Sequence, residues 1–210
     1  MTVAQALAAS SSGFVMFARP AAVGRRWPES MADTPRTAAH VLMGHLLAGW
    51  LGRPGESVTI ERLAGGRPAL TEPNAPAISL AHTHDLVAVA AVTAGNVGVD
   101  VQTDDVRAPW SDIAPWLPEV FDARDADLSR RVQWCRREAV GKATGTGLVG
   151  PAALGDTVAV AHATLGDGVS GAWCWSGDLT PQVWWLPEAG PPQVLHPDGV
   201  NSTSHGRVAT

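Results

Sequence analysis

The stretch DLVAVAAVTAGNVGVDVQ, residues 85–102, holds two β-rich runs on either side of Gly95 and Asn96. Two such runs across a short Gly/Asn break predict an antiparallel hairpin. In the second run side chains alternate, so Val97, Val99 and Val101 share one face and Gly98, Asp100 and Gln102 the other. An oxygen-bearing pair therefore sits on one side of a strand whose other side is apolar. An acid set among valines marks either an edge or strand end, or a functional site.

Working outward, GFVMFARPA from Gly13 reads as a strand, and DTPRTAAHVLMGHLLAGWLG reads as a helix with Asp33 as N-cap, Pro35 in the first turn and Gly52 as its stop. Leu42, Leu46 and Trp50, with Val41 and Leu47, recur at helical spacing and form its buried stripe. ESVTIERLAGGRPAL reads as a strand, a Gly-Gly turn and an extended arrival at Pro68. After a connection rich in proline and aspartate, residues 103–126, a second helix runs to Gly145. DTVAVAHATL, GAWCWSG and QVWWL then read as three strands of a meander. Residues 187–210 are rich in Gly, Pro, Ser and His with little to bury, which predicts a disordered tail. No internal repeat is evident.

The 210 residues are 45% hydrophobic and 17% charged, the balance of an ordinary globular chain, while 22 Gly and 16 Pro call for many turns. A formal net charge of -5 argues against a broad nucleic-acid surface, which needs clustered Lys and Arg. Cys135 and Cys174 are too few for a disulfide framework and lack zinc-type neighbours, which suits a reducing cytoplasm. Residues 1–10 carry no Lys or Arg, and the apolar start breaks into SSSG, so neither a signal peptide nor a membrane span is expected.

The second helix contains WCRREAVGKATGTG, residues 134–147. Leu128, Val132, Cys135 and Ala139 make an apolar stripe, and Trp134, Glu138 and Lys142 follow along an adjacent face. If this helix crosses the 97–102 strand, Asp100, Gln102 and Glu138 bring three oxygen donors together, a set suited to a hard cation such as Mg²⁺. Lys142 then sits one turn away, ready for a phosphate. The plainer reading is an exposed i,i+4 ion pair worth ~0.2–0.5 kcal/mol. His82 and His84 alternate onto one face and, with Asp100, could serve a zinc-dependent hydrolase, or they simply hydrogen-bond at a strand end. Arg36 and Arg67 read as solvated surface charges, as most arginines are.

The joint order of Gly66-Arg67-Pro68, Ala81-His82-Thr83, Gly98-Val99-Asp100-Val101-Gln102 and Trp134 through Lys142 resembles the Sfp-type 4′-phosphopantetheinyl transferases. That family has a G-K-P-like segment, a strand ending in S-H-S, a G-[IV]-D-[IV]-E strand and a W-x-x-K-E-A-x-x-K helix with a trailing glycine-rich turn. The resemblance implies an α+β fold of two similar lobes about a pseudo-twofold axis, residues 1–96 and 97–186, followed by the tail. It implies a cytoplasmic, monomeric, Mg²⁺-dependent enzyme of biosynthesis that moves the phosphopantetheine arm of coenzyme A to a serine of an acyl, peptidyl or aryl carrier protein, releasing 3′,5′-ADP. It also implies roles: Asp100, Gln102 and Glu138 as metal ligands; Glu138 as general base; Lys142 on the departing phosphate; and Arg36, Arg67, Pro68, His82 and Thr83 around coenzyme A. Gln102 stands where the family has an acid, and Ala81 where it has a serine. Those departures also fit a relative that binds coenzyme A or carrier protein without turnover. Trp110, Trp116, Leu117 and Phe121, within residues 104–126, are read as a carrier-docking loop.

Overall fold

A computed structural model describes Val3, Leu7 and residues 12–28, 32–53, 58–64, 66–103, 129–148, 158–166, 168–177 and 180–202. Strand β1 (Gly13–Ala18) leads into the short helix α1 (Pro20–Arg26) and the long helix α2 (Pro35–Trp50). Next come β2 (Ile60–Arg62), β3 (Pro68–Leu70), β4 (Ala77–His82), β5 (Val87–Val92) and β6 (Val97–Thr103). Helix α3 (Arg130–Thr144) is followed by β7 (Val158–Thr164), β8 (Val169–Ser176), β9 (Gln182–Leu186), β10 (Gln193–Val194) and β11 (Gly199–Ser202). The class is mixed α+β.

Strands β10-β9-β1-β5-β4 form a first sheet, β11-β7-β8-β6 a second, and β2-β3 a separate ribbon. The burial pattern explains the layering. Leu42, Met43, Leu46 and Leu47 of α2 pack on Phe14, Met16, Val87 and Val89, covering the outer face of the first sheet. The alternate residues Val15, Phe17, Ala88 and Ala90 meet Val97, Val99, Val101 and Trp173 between the two sheets. Cys135, Ala139, Val140 and Ala143 of α3 then cover Val160, Ala172 and Cys174 on the outer face of the second. The order is helix, sheet, sheet, helix, with three apolar seams. Each large side chain fully buried in them contributes about 1.5–3 kcal/mol.

The expected hairpin at residues 85–102 does not form. β5 is antiparallel to β1 on one edge and to β4 on the other, so no edge is left for β6, which pairs instead with β8. The Gly95–Asn96 turn carries the chain from one sheet to the other. Gly95 has φ +80°, and a Cβ there would lie 2.3 Å from the Ser176 carbonyl oxygen. Asn96 N–H donates to Ser176 Oγ at 2.8 Å, and Ser176 N–H to the Asn96 carbonyl at 3.0 Å, tying the turn to the end of β8.

The meander is also corrected. β7 and β8 pair antiparallel as read, but β9 crosses to the first sheet and lies parallel to β1, with Val15 opposite Val183. The open edge of β1 and the burial of Val183, Trp184 and Leu186 account for that choice. Residues 97–186 thus contribute to both sheets. The disordered tail is revised up to residue 202: β10 pairs with β9 and β11 with β7. Arg25 holds Glu188 at 2.8 Å, and the Asp198 carboxylate accepts from Thr164 N–H, so polar contacts fasten a segment poor in apolar residues. At the start of α2 the cap is Thr34 rather than Asp33; Thr34 Oγ1 accepts from Thr37 N–H, and Asp33 accepts from the Thr37 hydroxyl. Gly145, with φ 73°, closes α3 as read.

Candidate functional site

Gly98 sets the site. A Cβ at this position would lie 1.9 Å from the Ala139 carbonyl oxygen, so the bare strand lets α3 rest directly on β6. Two residues on, Asp100 faces the same helix and is 5% exposed. β6 is the edge strand of its sheet, which leaves the Val99 backbone without a ladder partner on that side. Ser79 Oγ of β4 accepts from Val99 N–H at 3.1 Å, and Lys142 Nζ donates to the Val99 carbonyl at 3.0 Å. The same ammonium donates to Asp100 Oδ1 at 2.8 Å. Strand edge and carboxylate together fix where Lys142 ends.

Glu138 lies one helical turn before Lys142 and is partly buried. Burial first, and the neighbouring Asp100 second, push its carboxyl above the ordinary value, while Lys142 and Arg137 pull it back. Gln102 Nε2 is 3.4 Å from Asp100 Oδ2. Arg137 donates to the carbonyls of Gly147 and Leu148, and Gly141 lets that trailing turn fold back on the helix, where a Cβ would meet the Gly147 oxygen at 2.5 Å. The glycine-rich stop is therefore one wall of the site.

Glu138, Lys142 and the glycine-rich turn open on a cleft of about 320 Å³ whose lining also includes His40, Arg62, Arg67 and Pro68. It brings together residues from α2, the β2–β3 ribbon, β4 and α3. Arg67 Nη2 donates to Asn96 Oδ1 at 2.9 Å. Arg36 and His82 lie close enough for their charges to act on His40, and Lys142 and Arg36 act on His82. Thr83 is in the β4–β5 turn with its hydroxyl buried and unpartnered among the described residues. Ala81 packs between the sheets, so its methyl group serves the core. Sequence reasoning missed His40 and Arg62. A signal was present for His40, which follows Arg36 by four residues on one helix.

Asp100 lies beside Gln102 and close enough to Glu138 to push its carboxyl pKa up, and all three side chains offer oxygen, the donor type that suits a hard divalent cation. Ligation requires Gln102 to present its amide oxygen and Lys142 to share Asp100. The zinc donors are not gathered in the same way. His84 has a side chain 99% exposed beside Asp85, and no cluster of three His, Cys, Asp or Glu at metal-binding spacing occurs among the described residues. Residues 104–126, with the expected docking loop, and Leu128 lie outside the described residues. No described helix is long and apolar enough to cross a membrane. The sequence matches no protein-family model and no curated protein.

Proposed function

We propose that the protein is a 4′-phosphopantetheinyl transferase that moves the phosphopantetheine group of coenzyme A onto a serine of an apo acyl, peptidyl or aryl carrier protein. The observation that carries this reading is the meeting of Asp100, Glu138 and Lys142 beside a cleft whose lining also presents Arg67 and Pro68. In this reading the two helix-backed sheets are similar lobes about a pseudo-twofold axis, and coenzyme A lies in the cleft between them.

The serine oxygen bonds to the phosphorus that carries pantetheine, the bridging P–O bond breaks, and 3′,5′-ADP leaves with the electron pair. Glu138 receives the serine proton; its raised carboxyl pKa suits proton transfer nearer neutral pH than an ordinary glutamate's. Lys142 moves from Asp100 to neutralise the departing phosphate. Arg36, Arg67 and His82 hold the 3′-phosphate end, with Pro68 and Thr83 flanking the ligand. Asp100, Gln102 and Glu138 would hold Mg²⁺, which neutralises diphosphate charge when bound.

The test is incubation with coenzyme A, Mg²⁺ and apo carrier proteins of the acyl, peptidyl and aryl types, followed by intact mass measurement. A phosphopantetheine mass gain on a carrier serine is the expected result. No gain on any type removes the reading. The Asp100–Lys142 ion pair and the uncharged Gln102 favour one second reading, a relative that binds coenzyme A without transfer. Calorimetric binding of coenzyme A with unmodified carriers would select it.

A further inference from the structure

Lys142 is the only lysine in the sequence; every other cationic side chain apart from histidine is an arginine. Its ammonium donates to Asp100 Oδ1 at 2.8 Å and to the Val99 carbonyl at 3.0 Å, while Gln102 Nε2 lies 3.4 Å from Asp100 Oδ2. Both carboxylate oxygens thus already face donors of the chain itself. The two partners differ in reach. Lys142 lines the cleft with its side chain 30% exposed, whereas that of Asp100 is 7% exposed, so a solute in the cleft meets the ammonium first. A carboxylate so buried is stable as an anion only with a cation against it. Ammonium and divalent cation are therefore alternative partners for Asp100, and the one that leaves has to be replaced. Glu138 supplies a second acid, Arg137 bears on it as a further cation, and Gln102 brings no charge where a third acid would favour the divalent ion. That balance favours the lysine in the free protein.

We propose that Lys142 is a lock on the divalent-cation site: it neutralises Asp100 in the free protein and yields that carboxylate only when an oxyanion in the cleft draws the ammonium away. The anion then takes the ammonium, and the cation the carboxylate, of one broken ion pair, so the two bind with positive coupling. Such coupling is reciprocal: the metal tightens anion binding by the same factor by which the anion tightens metal binding. A preformed metal centre behaves differently, because it fills without the anion. The inference deepens the transferase reading by setting the order in which its site is assembled, and it rests on that reading for the identity of the metal and the anion.

Direct contact between a metal and a phosphate would also couple their binding, so the deciding measurements omit the anion or watch the lysine. Mn²⁺ is the first probe, with the free ion followed by its electron spin resonance. In the absence of any anion ligand, Lys142→Gln should bind Mn²⁺ about tenfold tighter than the wild type, and adding Asp100→Asn should remove that gain. The glutamine amide keeps a donor for the Val99 carbonyl. The second measurement needs no substitution: in protein labelled with ¹³C,¹⁵N-lysine every lysine signal belongs to Lys142. Mg²⁺ alone should leave that side-chain signal in place, whereas Mg²⁺ with coenzyme A should move it. If Lys142→Gln does not fold, the lysine spectrum decides. Mn²⁺ binding no tighter in Lys142→Gln overturns the proposal, as does a lysine signal that Mg²⁺ alone moves as far as the pair does, or that the pair leaves unmoved. Both expected results without a mass gain on any carrier keep the lock and discard the transferase reading. A carrier mass gain with Mn²⁺ affinity unaltered by Lys142→Gln keeps the transferase and discards the lock.

Discussion

The two helix-on-sheet seams of this molecule are built on opposite terms. Under α2 the contact is made by volume, with leucines and Met43 meeting Phe14, Met16 and valines of the first sheet. Under α3 it is made by the absence of volume: Gly98, Ala139, Ala143, Ala172 and Cys174 let backbone approach backbone. The second seam holds an ion pair, with Asp100 and Lys142 in contact and Glu138 beside them. Large side chains keep a helix well away from its sheet; small ones bring a strand carboxylate and a helix ammonium to 2.8 Å. Close packing is what turns a separated pair of residues into a site.

The comparison is most severely tested by Glu138→Gln. If the small seam is catalytic, transfer to carrier protein should fall by about 10³-fold, measured by mass gain over time. The same substitution should stabilise the fold near neutral pH. A carboxyl whose folded pKa is raised binds more protons folded than unfolded, so its ionisation costs stability as pH climbs from the ordinary value through the raised one. Melting temperature against pH should show that decline in the wild type and lose it in Glu138→Gln. Unchanged transfer would take Glu138 out of the base role.

Next in size are Gly98→Ala and Leu46→Ala, each expected to cost about 3 kcal/mol in denaturant unfolding, by overpacking and by cavity formation respectively. They should part company in activity. Gly98→Ala pushes α3 off Asp100 and should also depress transfer per folded molecule, whereas Leu46→Ala should leave that quantity unaltered. Equal effects on activity would break the contrast between seams. The smallest effect belongs to Gly44→Ala, where an added Cβ meets nothing within 4 Å on α2; a gain of about 0.5–1 kcal/mol is expected.

Local features were legible before any coordinates. The alternation around Asp100, the stripe of Leu42, Leu46 and Leu47, and the Gly145 stop are written within a few residues of each other, and the structure carries all three. Pairings between distant segments were not. β5 and β6 are joined by a turn short enough for a hairpin, and nothing nearby in sequence tells that β1 and β4 have already taken both edges of β5. The same holds for β9, whose partner β1 is remote in the chain. In the site, Glu138 and Lys142 were readable from spacing, but their approach to Asp100 depends on what Gly98 lacks. His40 and Arg62 escaped because the ribbon and helix that carry them meet only in three dimensions.

The parallel seat of β9 beside β1 has a consequence for synthesis. While the nascent chain is still emerging, β1 has β5 on one side and bare amide and carbonyl groups on the other, since residues 182–186 leave the ribosome long after it. The first sheet stays incomplete until residues 182–186 have emerged, and until then its open flank is an invitation to other unfinished chains. A product truncated before residue 182 should accumulate in inclusion bodies, and adding a peptide of residues 180–202 in trans during refolding should return it to solution.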